Sequence, residues 1–229
     1  MSIRNWLAGR KRDEPVMVQG FPIRRVAAAD NPCGVELWDI SLLTQGMIST
    51  TADPAIAESF LDRRSDRGEL TGAQPIADSR EIPGNLAYQW PGEPADGPLF
   101  RAEVMEEKWD IYLYRPHLTF ARSWTGELDL RATVALSGGT LSVSRIEFNN
   151  MPDDEYARRV VDYLIRSHLL GERLPHPLPE ALVADPTAIP AYSFSMFGRL
   201  CHYGTYADTI GLKPVRLGGP GADSHDREV

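Results

Sequence analysis

Cysteine is scarce in this chain of 229 residues: there are two, Cys33 and Cys201, far apart in sequence. They make neither a disulfide framework nor a zinc-ligand spacing, so buried or idle thiols are expected. No apolar run approaches the roughly 18 residues that a bilayer span needs. The N-terminus carries Arg4, Arg10, Lys11 and Arg12 before its first acid, but it lacks the apolar core of a secretory signal. A short basic arm docked on its own domain is expected there, with a cytoplasmic location. Positive charge is in deficit overall. The 24 basic against 32 acidic residues leave a net charge of −8, which argues against a protein that coats nucleic acid or an anionic membrane. Signature motifs are also missing. The sequence contains no phosphate loop, dinucleotide fingerprint, Gly-x-Ser-x-Gly elbow or His-Glu-x-x-His. His168 and His176 stand eight apart, which is no metal pattern, and neither a metal nor another cofactor is expected.

What is present is an ordinary globular composition, 42% hydrophobic and 24% charged, in a chain long enough for a substantial core. The organising stretch is 109–126, where aromatic and aliphatic residues alternate with polar ones on both sides of Arg115-Pro116-His117. It reads as a β-hairpin. A loop over 115–118 sets Trp109, Ile111 and Leu113 opposite Trp124, Arg122 and Phe120, all on one face. Arg122 is then the anomaly, a guanidinium in an apolar row.

Around this hairpin, residues 99–148 read as an antiparallel meander of five or more strands. A first strand covers 99–105, and Thr125-Gly126-Glu127 makes a three-residue connection after the hairpin. Gly138-Gly139 is the strongest turn signal, pairing Leu136 with Leu141 and Val134 with Val143. Ile146 and Phe148 fall out of phase with Leu130 and Ala132, and a β-bulge near Ser144-Arg145 restores the phase. An amphipathic helix over 152–170 covers one face. Ala157, Val160, Val161, Leu164 and His168 form its apolar stripe, and Arg158, Arg159, Asp162 and Arg166 point largely away. A second helix near 54–67 opens on Asp53-Pro54, and Gly68 can end it. The alternation at 16–26 and 35–40 predicts further strands.

Residues 72–98 hold four glycines and five prolines and read as a long irregular excursion. Residues 175–190, with five prolines, are expected to be extended and to wrap the surface. Residues 191–206 are aromatic-rich and suit helix or strand equally. The whole is an α+β fold: a single domain over 1–213, then a polar, disordered tail over 214–229.

The candidate ligand-binding residues are Arg122, Trp124, His168, Arg199 and His202; no catalytic residue is assigned. A guanidinium at Arg122 can stack on Trp124 and still offer its fork to a carboxylate or phosphate, unless an acid such as Glu103 or Asp129 satisfies it. His168 suits a core histidine with one hydrogen-bond partner. Ser195 and His202 act as nucleophile and base only if the fold brings them within hydrogen-bond reach. Two functions from different classes follow. One is a non-catalytic intracellular binding or accessory protein, of immunity or partner-binding type, that takes a protein or a small anionic ligand. The other is a small hydrolase acting on an anionic substrate through an Arg- and His-lined pocket.

Overall fold

The computed structural model describes residues 14–214. The basic arm and all but the first residue of the expected tail lie outside them. The fold class is α+β, as the sequence implies. Strands β1 (Val16–Val18), β2 (Phe21–Val26) and β3 (Leu37–Asp39) pair antiparallel in order. Three helices follow: α1 (Ser41–Thr44), α2 (Pro54–Arg63) and α3 (Glu69–Ala73). Asp53 caps α2 by accepting the Ala55 N–H at 2.9 Å, with Pro54 in the first turn, so the predicted start holds. The end does not extend to 67. The chain tightens into i→i+3 turns after Arg63, and Gly68, at φ 82°, begins α3 instead of ending α2.

The large sheet has β4 (Arg80–Gln89), β5 (Gly97–Phe100), β6 (Trp109–Tyr114), β7 (His117–Arg122), β8 (Leu128–Ser137) and β9 (Thr140–Phe148). Its order is β4-β9-β8-β7-β6-β5, with every pair antiparallel. Strands β5 to β9 form the five-strand meander, and β4, added at the far edge beside β9, corrects the reading of 72–98. Leu86 and Tyr88 are buried while Asn85, Ala87 and Gln89 are exposed, the period of a strand. Pro83 and Gly84 hide it, yet both sit where the β4–β9 register shifts, at the sheet edge where a missing N–H is tolerated. The strand expected at 99–105 is also shorter. After Phe100 the chain leaves the sheet, and residues 101–108 form a strap across its end; the Ala102 N–H goes to the Asp110 carboxylate at 2.8 Å.

Gly138-Gly139 makes the tight turn, with φ values of 57° and 75° that suit glycine. Leu136 pairs with Leu141 and Val134 with Val143; the register then slips so that Thr133 meets Arg145, leaving Ser144 as the bulged residue. The central hairpin is two residues off its predicted register. Its turn is Arg115-Pro116 alone, so Trp109 faces Arg122, Ile111 faces Phe120 and Leu113 faces Leu118. A slip of two keeps every side chain on its predicted face. The connection after β7 is correspondingly longer, and Leu130 pairs with Phe120.

Helix α4 (Asp154–Leu164) opens on Asp153, whose carboxylate accepts the Tyr156 N–H at 2.7 Å. It continues as a π-turn over Ile165–Leu169, where the Leu170 N–H reaches the Ile165 carbonyl. Val160, Val161 and Leu164 are fully buried in one cluster with Trp109, Leu130, Ile146 and Phe148. The predicted polar face is buried too: Arg159, Asp162 and Arg166 lie under the C-terminal segment. That segment contains β10 (His176–Pro177), helix α5 (Ile189–Phe197) and β11 (Tyr203–Thr205). β11 joins β3 antiparallel and β10 parallel, completing a five-stranded sheet in the order β1-β2-β3-β11-β10. Residues 174–179 are buried, not wrapped on the surface, because β10 takes the sheet edge, where proline can sit. Among the described residues no helix is long and apolar enough to cross a membrane.

Two substitutions check this packing. Leu164→Ala should cost about 2–5 kcal/mol as a buried truncation. Arg159 donates to the carbonyls of Ala207 at 3.1 Å and Tyr206 at 3.4 Å. Arg159→Ala should therefore cost about 1.5–3 kcal/mol in a urea titration, rather than the under about 0.5 kcal/mol of a solvent-facing residue.

Candidate functional site

The end of the large sheet at which β6 starts and β7 finishes is closed by α5, by the strap 101–108 and by the loop after α1. Helix α5 presents its last carbonyls here, and those groups have no partner within the helix. The Trp109 indole donates to the Met196 carbonyl at 2.7 Å, and the Arg122 guanidinium donates to the Ser195 carbonyl at 2.8 Å. A cation at a helix C-terminus also complements its dipole. The Trp124 indole holds the strap through the Met105 carbonyl at 2.8 Å. Between these elements lies a cleft of about 570 Å³, within the range of small-molecule sites.

Two cations line it. The guanidinium carbon of Arg122 lies 4.7 Å from the centre of the Trp109 ring, so the aromatic partner is Trp109 across the strand pair and not the expected Trp124. Lys108 is 7% exposed. Its Nζ lies 4.5 Å from the Trp124 ring centre and 5.1 Å from that of Phe194. It donates to the Met105 carbonyl at 2.8 Å and is hydrogen-bonded to Ser49 Oγ at 2.5 Å. Burial, helped by the neighbouring Arg122 charge, lowers the Lys108 pKa to about 8.

Glu127 and Asp129 line the same cleft. Burial raises the Asp129 carboxyl to about 6 against the pull of Arg122, with Glu127 adding to the rise. Opposite charges thus share one small space without joining. Among the described residues neither Lys108 nor Arg122 has a carboxylate oxygen within 4.0 Å. The nearby Glu106 carboxylate is occupied by the Ser49 N–H at 3.0 Å.

Of the five residues picked out in the sequence, Arg122 and Trp124 line this cleft and the other three do not. The π-turn carries His168 onto Phe100, edge to face at 4.8 Å, with Nδ1 2.8 Å from Ser167 Oγ; burial lowers its pKa to about 3. Arg199 pairs with Glu107, while its backbone N–H donates to the Glu106 carbonyl. His202 accepts from the Gln45 amide at 3.1 Å, and no Ser195–His202 pair forms. A different Ser–His pair does exist: His176 Nε2 lies 2.7 Å from Ser193 Oγ, with both residues fully buried. The rings of Tyr163 and Phe197 pack around this histidine, and the pair ties β10 to α5 within the core.

No family model, curated protein or solved structure matches this chain.

The cleft residues that the sequence does not single out include Ser49, Lys108 and Glu127, with Asp129 considered only as a partner for Arg122. Lys108 follows Glu106-Glu107 and reads as a solvated turn. Nothing local marks Ser49, 59 positions away in the chain. Among the described residues no group of three or more His, Cys, Asp or Glu is arranged to hold a metal ion.

Proposed function

We propose that this protein binds a small anionic molecule in the cleft at the end of the large sheet, with Arg122 as the principal anion ligand. The observation that carries the reading is the unspent guanidinium. Arg122 uses one donor on the Ser195 carbonyl, and among the described residues the rest of its fork has no protein acceptor. Arg122 is half-buried, and its partial desolvation lowers its pKa; a planar fork suits a carboxylate or phosphate. Lys108 in its protonated form adds a second positive charge, and Trp124 supplies an apolar wall. Glu127 and Asp129 add acceptors for a hydroxyl or amine elsewhere on the ligand. Both cysteines are free, which suits the reducing cytoplasm.

Arg122→Met is the test. Methionine keeps the packing on Trp109 and gives up one hydrogen bond, so stability should fall by about 1 kcal/mol. Affinity for small dicarboxylates and phosphate esters, measured by titration calorimetry, should fall at least about tenfold. A stability loss of about 3–5 kcal/mol, as when a buried ion pair is broken, would assign Arg122 to the fold and sink the reading.

A further inference from the structure

Lys108 and Ser49 stand in a relation that anion binding does not require. The amine sits between two aromatic rings, and Ser49 Oγ lies 2.5 Å from its Nζ. Both side chains line the cleft that Arg122 faces. A neutral lysine amine has one lone pair and two N–H bonds. In the protonated form one N–H donates to the Met105 carbonyl and another to Ser49 Oγ; when the amine gives up that second proton, its lone pair faces the Ser49 hydroxyl. That is the arrangement of a serine nucleophile with a lysine base.

We propose that Ser49 and Lys108 form a catalytic dyad that hydrolyses small carboxylic esters bearing an anionic group, the anion being held by Arg122. The proposal rests on the anion-binding reading for its substrate class but not for its nucleophile. In the first half-reaction Ser49 Oγ attacks the ester carbonyl carbon, and the hydroxyl proton passes to Lys108 Nζ. The tetrahedral intermediate collapses, the carbon–oxygen bond to the alcohol breaks, and the leaving alkoxide takes the proton from the Lys108 ammonium. In the second half-reaction water attacks the acyl carbon and gives a proton to the amine. Ser49 Oγ then departs and recovers that proton. The sum is ester plus water to acid plus alcohol, with no oxidant or further reactant.

Burial explains why this lysine can serve as a base. Its pKa is lowered to about 8, so roughly a tenth of the protein carries the neutral amine at pH 7. The charged groups facing it are Arg122 from β7, which favours the neutral form, and Glu106 from the strap, which opposes it; Cys201, beyond α5, acts weakly in the same sense as Glu106. Glu127 and Asp129 line the same cleft. The free base forms as pH rises, so the reactivity of Ser49 should climb through about pH 8 and then level.

The experiment labels the full chain with a fluorophosphonate, a probe for activated serines, and follows the adduct by intact-mass and peptide mass spectrometry. One adduct at Ser49 is expected, absent in Ser49→Ala and formed about 100-fold more slowly in Lys108→Met, with a rate that rises through pH 8. No adduct, an adduct on another serine, or a pH-independent rate at Ser49 overturns the dyad. The pH profile of the unaltered protein carries this arm if Lys108→Met does not fold. The second arm compares hydrolysis of 4-nitrophenyl acetate with that of 4-nitrophenyl hemisuccinate, which carries a free carboxylate. A preference for the hemisuccinate that disappears in Arg122→Met supports the anionic substrate class. Labelling at Ser49 without that preference keeps the dyad and overturns the substrate class. Anion binding with no labelling overturns the dyad and leaves the binding site standing.

Discussion

Arg166→Met will lower the stability of the folded protein by about 3–5 kcal/mol, the cost of breaking a buried ion pair from one side. Arg166 is 6% exposed and its partner Asp162 is 2% exposed. The guanidinium reaches Glu172 at 2.7 Å, Asp162 at 3.5 Å and the Thr209 carbonyl at 3.3 Å, and it also donates to the Leu212 carbonyl. One side chain thereby joins α4 to the C-terminal segment. Without it, Asp162 keeps only the Tyr88 hydroxyl, at 2.9 Å, and stays buried.

The loss should depend on pH. In the native protein, burial raises the Asp162 pKa to about 6, above its value in the unfolded chain, against the lowering influence of Arg166. The folded state therefore binds more protons than the unfolded state between about pH 4 and pH 6. Stability falls as pH rises through that window and levels above it. Removing Arg166 takes away the attraction that favours the carboxylate, so the window extends upward. Urea titrations should show a larger deficit for Arg166→Met at pH 8 than at pH 5, where the carboxyl is protonated and needs no counter-charge. Equal deficits at both pH values would mean that Arg166 acts through the backbone carbonyls and not through Asp162.

Gly198→Ala is expected to be about as damaging and to disable the cleft as well. Gly198 follows α5 at φ 63° and ψ −146°, a conformation that is essentially restricted to glycine and costs other residues about 1–3 kcal/mol. A Cβ there would lie 1.9 Å from the Glu106 carbonyl oxygen and 3.2 Å from Lys108 Cγ, so the strap must move. Such overpacking adds about 1–3 kcal/mol, and displacing the strap separates Lys108 from Ser49. Gly211→Ala is the control. That glycine also has a positive φ, of 79°, but nothing lies within 4 Å of the added atom, so only the backbone cost of about 1–2 kcal/mol applies. Thermal melts of the two variants should differ by several degrees. Matching melts would show that the strap gives way freely.

Local signals account for the parts of the fold that can be read without coordinates. Gly138-Gly139 and the phase break at Ser144 specify a turn and a bulge within a dozen residues, and both occur where the spacing places them. Asp53-Pro54 and Asp153 are caps whose donors lie two or three residues on. The central hairpin marks a limit. Alternation tells which side chains share a face but leaves shifts of two open, and only the turn at Arg115-Pro116 selects among them. Strand β4 marks another, because Pro83 and Gly84 break the pattern at a bulge on the sheet edge.

The cleft divides in the same way. Arg122 can be recognised from sequence because a guanidinium in an apolar row conflicts with its neighbours, and that conflict survives an error of two in register. Lys108 and Ser49 carry no such conflict, since each sits among polar residues in a segment without periodicity. What sets them apart arises from enclosure: α5, the strap and the loop after α1 close around them, and the resulting desolvation lowers the Lys108 pKa to about 8. The polar face of α4 follows the same logic. Its spacing assigns Arg159, Asp162 and Arg166 to solvent, as on a helix covered on one side, but all three are buried. A chain segment some 40 residues later covers the other side, with Arg166 meeting Thr209 at a separation of 43. Periodicity along a helix determines which residues share a face. Which faces are covered is set by contacts between distant parts of the chain, and these have no local signature.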